Sequence, residues 1–191
     1  MSSSTDIVLI EVPEEIRSER LLIATPRAGL GPLMYEAVAE SMGHIKPWLP
    51  WAQEQPSLEE CEARMRRMHA KFILREDLPY LIFDREAQGR RLLGGVGLHR
   101  MDWAVRRFEI GYWIRASAEG NGYVAEAVNA VAEICFTKLN ARRIDLRADL
   151  NNARSRAVAE RCGFTLESVV KNEGLNPGGE VRDMCVYVRL A

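Results

Sequence analysis

Residues able to do chemistry gather in two stretches of the chain. In the first, Gly120 and Gly122 flank Asn121 immediately before a run in which Val124, Ala127, Val128, Val131, Ile134 and Cys135 share one face of a helix. A helix start leaves amide N–H groups unpaired and carries the positive end of the dipole, and glycines let an anion approach the backbone. The turn from Gly120 to Val124 therefore reads as a phosphate cradle. The strand feeding it, Phe108 to Ile114, alternates Phe108, Ile110, Tyr112 and Ile114 with Glu109, Gly111 and Trp113. It thus carries a carboxylate just ahead of the cradle, and Gly111 inside the run predicts a bulge that splays neighbouring strands. In the second stretch, Asn152 caps a helix that stops at Gly163, which sets Asn152 and Ser155 on its first turn.

The remaining elements must hold these stretches. Arg20 to Ala24 reads as a strand, and Ile7 to Val12 could pair beside it as an edge. Pro32 opens a helix with Leu33, Ala37 and Val38 inward and Gly43 as its stop. From His44 to Trp51 the chain reads HIKPWLPW, a stiff aromatic loop whose Trp48 and Trp51 either pack as a lid or line a groove. Ser57 and Glu60 form a capping box starting a helix to about Leu74, with Met65, Met68 and Phe72 on its core face. Leu81 to Phe83 is a short strand and Ala87 to Gly89 a turn. Leu92 to Leu98 is a strand whose Gly94, Gly95 and Gly97 signal close backbone packing or a bulge, and His99 follows it. Asn140 stops the long helix, and Arg143 to Asp149 alternates, with Ile144, Leu146 and Ala148 inward and Arg143, Asp145, Arg147 and Asp149 outward. Strand, helix and strand in that order make a parallel crossover. Phe164 to Val170 and Val181 to Leu190 close the sheet around the loop KNEGLNPGG, long enough to shape a mouth or a dimer contact.

With 191 residues, a single domain over 19–191 behind an N-terminal lead-in, 1–18, is expected. The 26 basic and 27 acidic side chains nearly cancel, which argues against a general nucleic-acid or membrane binder. Cys61, Cys135, Cys162 and Cys185 lack C-x-x-C or zinc spacing, so buried reduced thiols, no metal site and a cytoplasmic setting are expected. The N-terminus has no basic region ahead of its apolar patch and does not read as a signal peptide.

EIGYWIRASAEGNGYVAEAV, followed downstream by NNARSRAVAERCGF, resembles the GNAT acyltransferases and, within them, the RimJ/RimL-like branch, over roughly Leu21 to Leu190. The resemblance implies an α/β (α+β) GNAT fold: a mixed, mostly antiparallel sheet of about seven strands with a splayed parallel pair and helices on both faces. It implies acetyl-CoA as cofactor, held at Trp113, Ile114, Gly120, Asn121, Gly122, Tyr123, Val124, Asn152 and Ser155. Of the family's glycine pattern, Q/R-x-x-G-x-G/A, Gly120 and Gly122 fit, while Ser117 stands at the first position and Glu119 sets a negative charge beside the cradle.

By the same resemblance Glu109 is the general base and Ser155 the acid or thiolate stabiliser, since Ala159 stands where many GNATs carry a tyrosine. Trp48, Trp51, Glu109 and Tyr112 are expected to face the acceptor, and so is His99, which lies near the site strands, unless it serves the structure alone. That acceptor is a primary amine. An α-amine near pKa 7.7 to 8.0 costs roughly 1 kcal/mol to deprotonate at pH 7 and a lysine roughly 4.6, which favours the N-terminal α-amines of RimJ/RimL relatives. A small-molecule amine remains open, as does a non-catalytic acyl-CoA sensor, and relatives in this branch imply a possible homodimer. GNGYVA also satisfies the dinucleotide pattern G-x-G-x-x-A, but Glu109 and Gly111 in the preceding strand, and its position past mid-chain, argue against that reading.

Overall fold

The computed structural model describes residues 6–87 and 91–191. Strands β1 (Glu15–Arg17), β2 (Leu21–Ala24), β3 (Leu78–Asp84), β4 (Leu92–Asp102), β5 (Arg107–Ile114), β6 (Arg143–Asp149), β7 (Thr165–Leu175) and β8 (Val181–Leu190) form one eight-stranded sheet in the order β1-β2-β3-β4-β5-β6-β8-β7. Every pairing is antiparallel except β5 with β6. Helix α3 (Tyr123–Thr137) makes the crossover between those two.

The alternation of β5 sorts its side chains onto two helical layers. Phe108 and Ile110 join the cluster containing Val128 and Val131 of α3 and Ala159 of α4 (Ala153–Arg161). Trp113 packs on the other face, with Met34, Ala37 and Val38 of α1 (Gly31–Ile45) and Cys61 and Met65 of α2 (Leu58–Leu74). The capping box of α2 forms as its sequence requires: Glu60 donates its N–H to Ser57 Oγ at 3.1 Å, and Ser57 donates its own to Glu60 Oε2 at 2.7 Å. Asn140 ends the segment after α3 in the left-handed region, φ 51°. The β4 glycines serve close packing: a Cβ on Gly97 would lie 3.0 Å from the Leu78 carbonyl oxygen.

Several local expectations are corrected. Gly43 does not stop α1, because the helix runs on to bury Ile45 at 3% exposure; that burial outweighs the roughly 1 kcal/mol cost of an interior glycine. The edge strand forms at Glu15–Arg17, whereas Ile7–Leu9 is a turn of 3-10 helix. His99 lies inside β4, opposite Glu109. On β6, Asp145 and Asp149 are buried with the apolar residues. Asp145 is matched there by Arg143 Nε at 2.6 Å and by Arg107, and Asp149 Oδ1 accepts the Asn151 N–H at 2.9 Å. Much of KNEGLNPGG extends β7 and leaves a tight turn from Asn176 to Glu180. Of the turn expected at Ala87 to Gly89, residues 88 and 89 lie outside the described residues. Among the described residues no helix is long and apolar enough to cross a membrane.

Candidate active site

The parallel pair opens as soon as it forms. β5 and β6 stay in register at Arg107 with Arg143, Phe108 with Ile144 and Glu109 with Asp145, and then part. β5 keeps its pairing with β4 as far as Ile114, and β6 keeps its pairing with β8 as far as Asp149. The sheet thus divides into two halves above Glu109. The expected bulge at Gly111 is absent: Gly111 pairs in register with Gly97, and the irregularity falls between His99 and Asp102, where Arg100 is left-handed at φ 45°. Gly111 instead makes room for a neighbour, since a Cβ there would come 3.3 Å from His99 Cδ2.

Two adjoining cavities fill the opening. One, about 420 Å³, is lined by Glu109, Tyr112, Trp113, Asn152 and Ser155, with Trp48 and Leu49 from the α1–α2 loop. The other, about 490 Å³, is lined by Gly120, Gly122, Tyr123, Arg154 and Arg161. Ile114, Glu119, Val124, Arg154 and Val158 border both, so the two form one groove.

At the glycine turn, Gly122 is the residue before α3, with φ 77° and no side-chain cap on the helix amides. Arginines 154 and 161 face it across the cavity. An uncapped helix start opposite guanidinium groups fits a phosphate-bearing ligand. Asn121 spends its side-chain amide on the turn, donating to the carbonyls of Ala118 (3.2 Å) and Glu119 (3.0 Å). Glu119 is neutralised: Arg154 Nη1 donates to both its oxygens at 2.9 Å.

The turn is braced from two distant places that sequence reasoning missed. Arg20 donates to the Asn121 carbonyl at 3.0 Å, stacks on the Tyr123 ring at 4.7 Å, and pairs with Glu126 at 2.7 Å. Arg115, 6% exposed, binds Glu40 through Nε at 3.0 Å, Glu36 at 2.9 Å and the Leu92 carbonyl at 3.1 Å. Glu40 also accepts the Ser117 N–H at 2.7 Å, and Ser41 Oγ accepts that of Ala116 at 3.1 Å. Hydrogen bonds from Arg115 and Ser117 lower the Glu40 carboxyl to about 2.

On the walls of the cavity beside β5, Glu109 accepts a hydrogen bond from Arg100 Nη1 at 3.0 Å, with Arg147 Nε at 4.0 Å. Opposite, Asn152 Oδ1 accepts the Ser155 N–H at 3.0 Å and caps α4. Tyr112 Oη lies 2.9 Å from Ser155 Oγ and donates toward the Ser155 carbonyl at 3.1 Å. Burial pushes the Tyr112 phenol up, so it stays protonated. Ala159 is fully buried and offers no hydroxyl; on this side of α4 the phenol comes from β5.

Trp48 lines the groove, whereas Trp51 packs edge-on against Trp113 at 5.8 Å under the Arg64 guanidinium. His99 Nδ1 sits 3.2 Å from Asp77 Oδ1, outside both cavity linings. The histidine in the groove is His44, whose Nε2 donates to the Ile114 carbonyl at 2.8 Å.

The family model described as an acetyltransferase (GNAT) domain matches residues 20–165. The chain belongs to the GNAT acetyltransferase family. It is 38% identical over 96 residues, 50% of this chain, to YdaF of Bacillus subtilis (strain 168), and spans only 52% of that relative's length. It is 27% identical over 169 residues to the ribosomal-protein-serine acetyltransferase of Escherichia coli (strain K12), covering 83% of this chain and 92% of that one. A solved structure of RimL, a ribosomal L7/L12 alpha-N-protein acetyltransferase in complex with coenzyme A, superposes with a TM-score of 0.85. That match has 24% identity and covers 93% of this chain and 98% of that chain.

Proposed function

We propose that this acetyltransferase moves the acetyl group of acetyl-CoA to the α-amine of a protein or peptide N-terminus. The observation that carries the reading is the single groove that opens above the Glu109–Asp145 pair. It joins an uncapped, arginine-faced helix start to a chamber with a carboxylate on one wall and a hydroxyl pair on the other.

Acetyl-CoA would supply the acyl group as a thioester, its phosphates at Gly120 to Val124 and its arm along Tyr112 to Ile114. The residues then divide the work. Glu109 takes the amine proton, directly or through water, as the nitrogen forms its bond to the acyl carbon. Ser155 donates a hydrogen bond to the sulfur as the carbon–sulfur bond breaks. Tyr112, protonated by virtue of its burial, holds the Ser155 hydroxyl. Trp48 and Leu49 exclude water from the acceptor side. One carboxylate base suits an α-amine, which costs roughly 1 kcal/mol to deprotonate at pH 7 against roughly 4.6 for lysine. The ribosomal-protein-serine acetyltransferase among the relatives supports a protein as acceptor.

The test is thiol release from acetyl-CoA with peptides of varied N-termini, lysine side chains and small amines, in wild type and Glu109→Gln. Release with N-terminal amines, reduced about 10² to 10⁴-fold in the variant with cofactor affinity intact, supports the reading. Equal release with lysine or small amines would overturn the acceptor, and an unaffected variant would overturn Glu109 as base.

A further inference from the structure

The charged side chains around the cavity that holds Glu109 are matched, with one exception. Arg100 pairs with Glu109 at 3.0 Å, Arg154 with Glu119 at 2.9 Å, and Arg147 with Glu173. The side chain of Arg182, which lines the same cavity, has no hydrogen bond or ion pair among the described residues, and its Nε is buried without a partner. A buried guanidinium nitrogen that has lost water and gained nothing is costly, and the cost falls when an anion binds it.

Its position narrows what that anion can be. Arg182 shares a strand face with Met184, which also lines the cavity. Its cross-strand partner is Gly174, which has no side chain to cover it. Arg182 borders the chamber that holds Glu109 and Trp48, and it does not border the cavity at the glycine turn, where Arg154 and Arg161 already face the helix start. The unmatched charge therefore belongs to the acceptor's side of the groove.

We infer that Arg182 is an anion subsite for the acceptor, so that the preferred substrate is an amine bearing a carboxylate as well as the nucleophilic nitrogen. A planar guanidinium takes a carboxylate in two parallel hydrogen bonds. Glu109 receives the amine end and Arg182 the anionic end. In a peptide this is an acidic side chain shortly after the N-terminal residue; in a free amino acid it is the α-carboxylate. The inference rests on the reading that this chamber takes the acceptor.

The experiment uses the full chain saturated with coenzyme A and measures binding by calorimetry, so that it does not depend on turnover. The probes are the peptide amides Ser-Asp-Ala-Ala and Ser-Asn-Ala-Ala, with free aspartate and its bis-amide to separate the two carboxylate sources. The proteins are wild type, Arg182→Gln and Arg182→Lys. Wild type should bind the acidic probe of at least one pair about tenfold more tightly than its neutral counterpart. Arg182→Gln should erase that ratio while leaving neutral-probe and coenzyme A affinities within about twofold, and Arg182→Lys should retain part of it. No preference of wild type for either anionic probe, or an equal loss for acidic and neutral probes in Arg182→Gln, would overturn the subsite. Loss of coenzyme A affinity would assign Arg182 to the cofactor. Arg182-dependent binding without acetyl release would leave the subsite standing and sink the acceptor chemistry.

Discussion

At the scale of single residues, the proposed mechanism turns on hydroxyl groups as much as on the carboxylate. The Tyr112 phenol has one proton and two acceptors within reach, Ser155 Oγ at 2.9 Å and the Ser155 carbonyl at 3.1 Å. If it donates to Oγ, the serine proton is free to meet the leaving sulfur; if it serves only the carbonyl, it merely ties β5 to α4. A double-mutant cycle separates these roles. Tyr112→Phe is expected to lower kcat about tenfold with little change in KM for acetyl-CoA, and to add nothing further in a Ser155→Ala background. The carbonyl bond survives Ser155→Ala, so a purely structural role would show as an equal loss in both backgrounds. None of this was legible beforehand. Tyr112 read as an acceptor-side residue and Ser155 as a candidate acid, but 43 positions of sequence separate them, and no local pattern reports a contact of that kind. His44 and Arg182 escaped for the same reason, whereas Glu109 stood out because its strand alternates cleanly and leads straight into the glycine turn.

At the scale of elements, the glycine turn owes its shape to α1 as much as to its own residues. Arg115 and the N–H groups of Ala116 and Ser117 are all held by Glu36, Glu40 and Ser41. Glu40 is the charge at the centre, lowered from an ordinary 4.5 to about 2 by Arg115 and Ser117. A folded-state value depressed in this way contributes stability that is fully present above about pH 4.5 and is lost as pH falls toward 2. With the Glu40 side chain 33% exposed, the contribution is about 1–2 kcal/mol after allowing for solvent screening. Glu40→Gln should therefore be less stable than wild type by that amount in urea titrations at pH 7. The gap should close as the pH is lowered below about 4.5; a gap that persists at pH 2.5 would assign the effect to packing. What the sequence did disclose at this scale was whatever depends on local periodicity and capping: α2 with its box, α3, and the start and stop of α4 at Asn152 and Gly163. The stop at Gly43 was misread because tertiary burial of Ile45 decides the helix end, and the bulge moved to Arg100 because a register irregularity depends on the partner strand.

At the scale of the whole molecule, the groove exists because one sheet is asked to follow two directions. Below Glu109 the halves are joined by the short parallel ladder and by buried Asp145 between Arg107 and Arg143; above it they are joined by the α3 crossover and the Arg154–Glu119 pair at the rim. A ligand lying in the gap touches β5 and the α3 start on one side and β6 and α4 on the other, so it adds the contacts that the open sheet gives up. Coenzyme A at a hundredfold excess over its Kd should then stabilise the fold by about 2.7 kcal/mol, raising Tm by roughly 5–10 °C for a chain of this size. A ligand that only decorated the glycine turn would produce that same shift, so hydrogen exchange supplies the discriminating readout. Bridging predicts slower exchange in both halves, in the β5 amides from Gly111 to Ile114 and in the β6 amides from Leu146 to Asp149. Protection confined to the glycine turn and α3 would show that the two halves are held apart without the ligand's help, and that the groove is a rigid product of the fold.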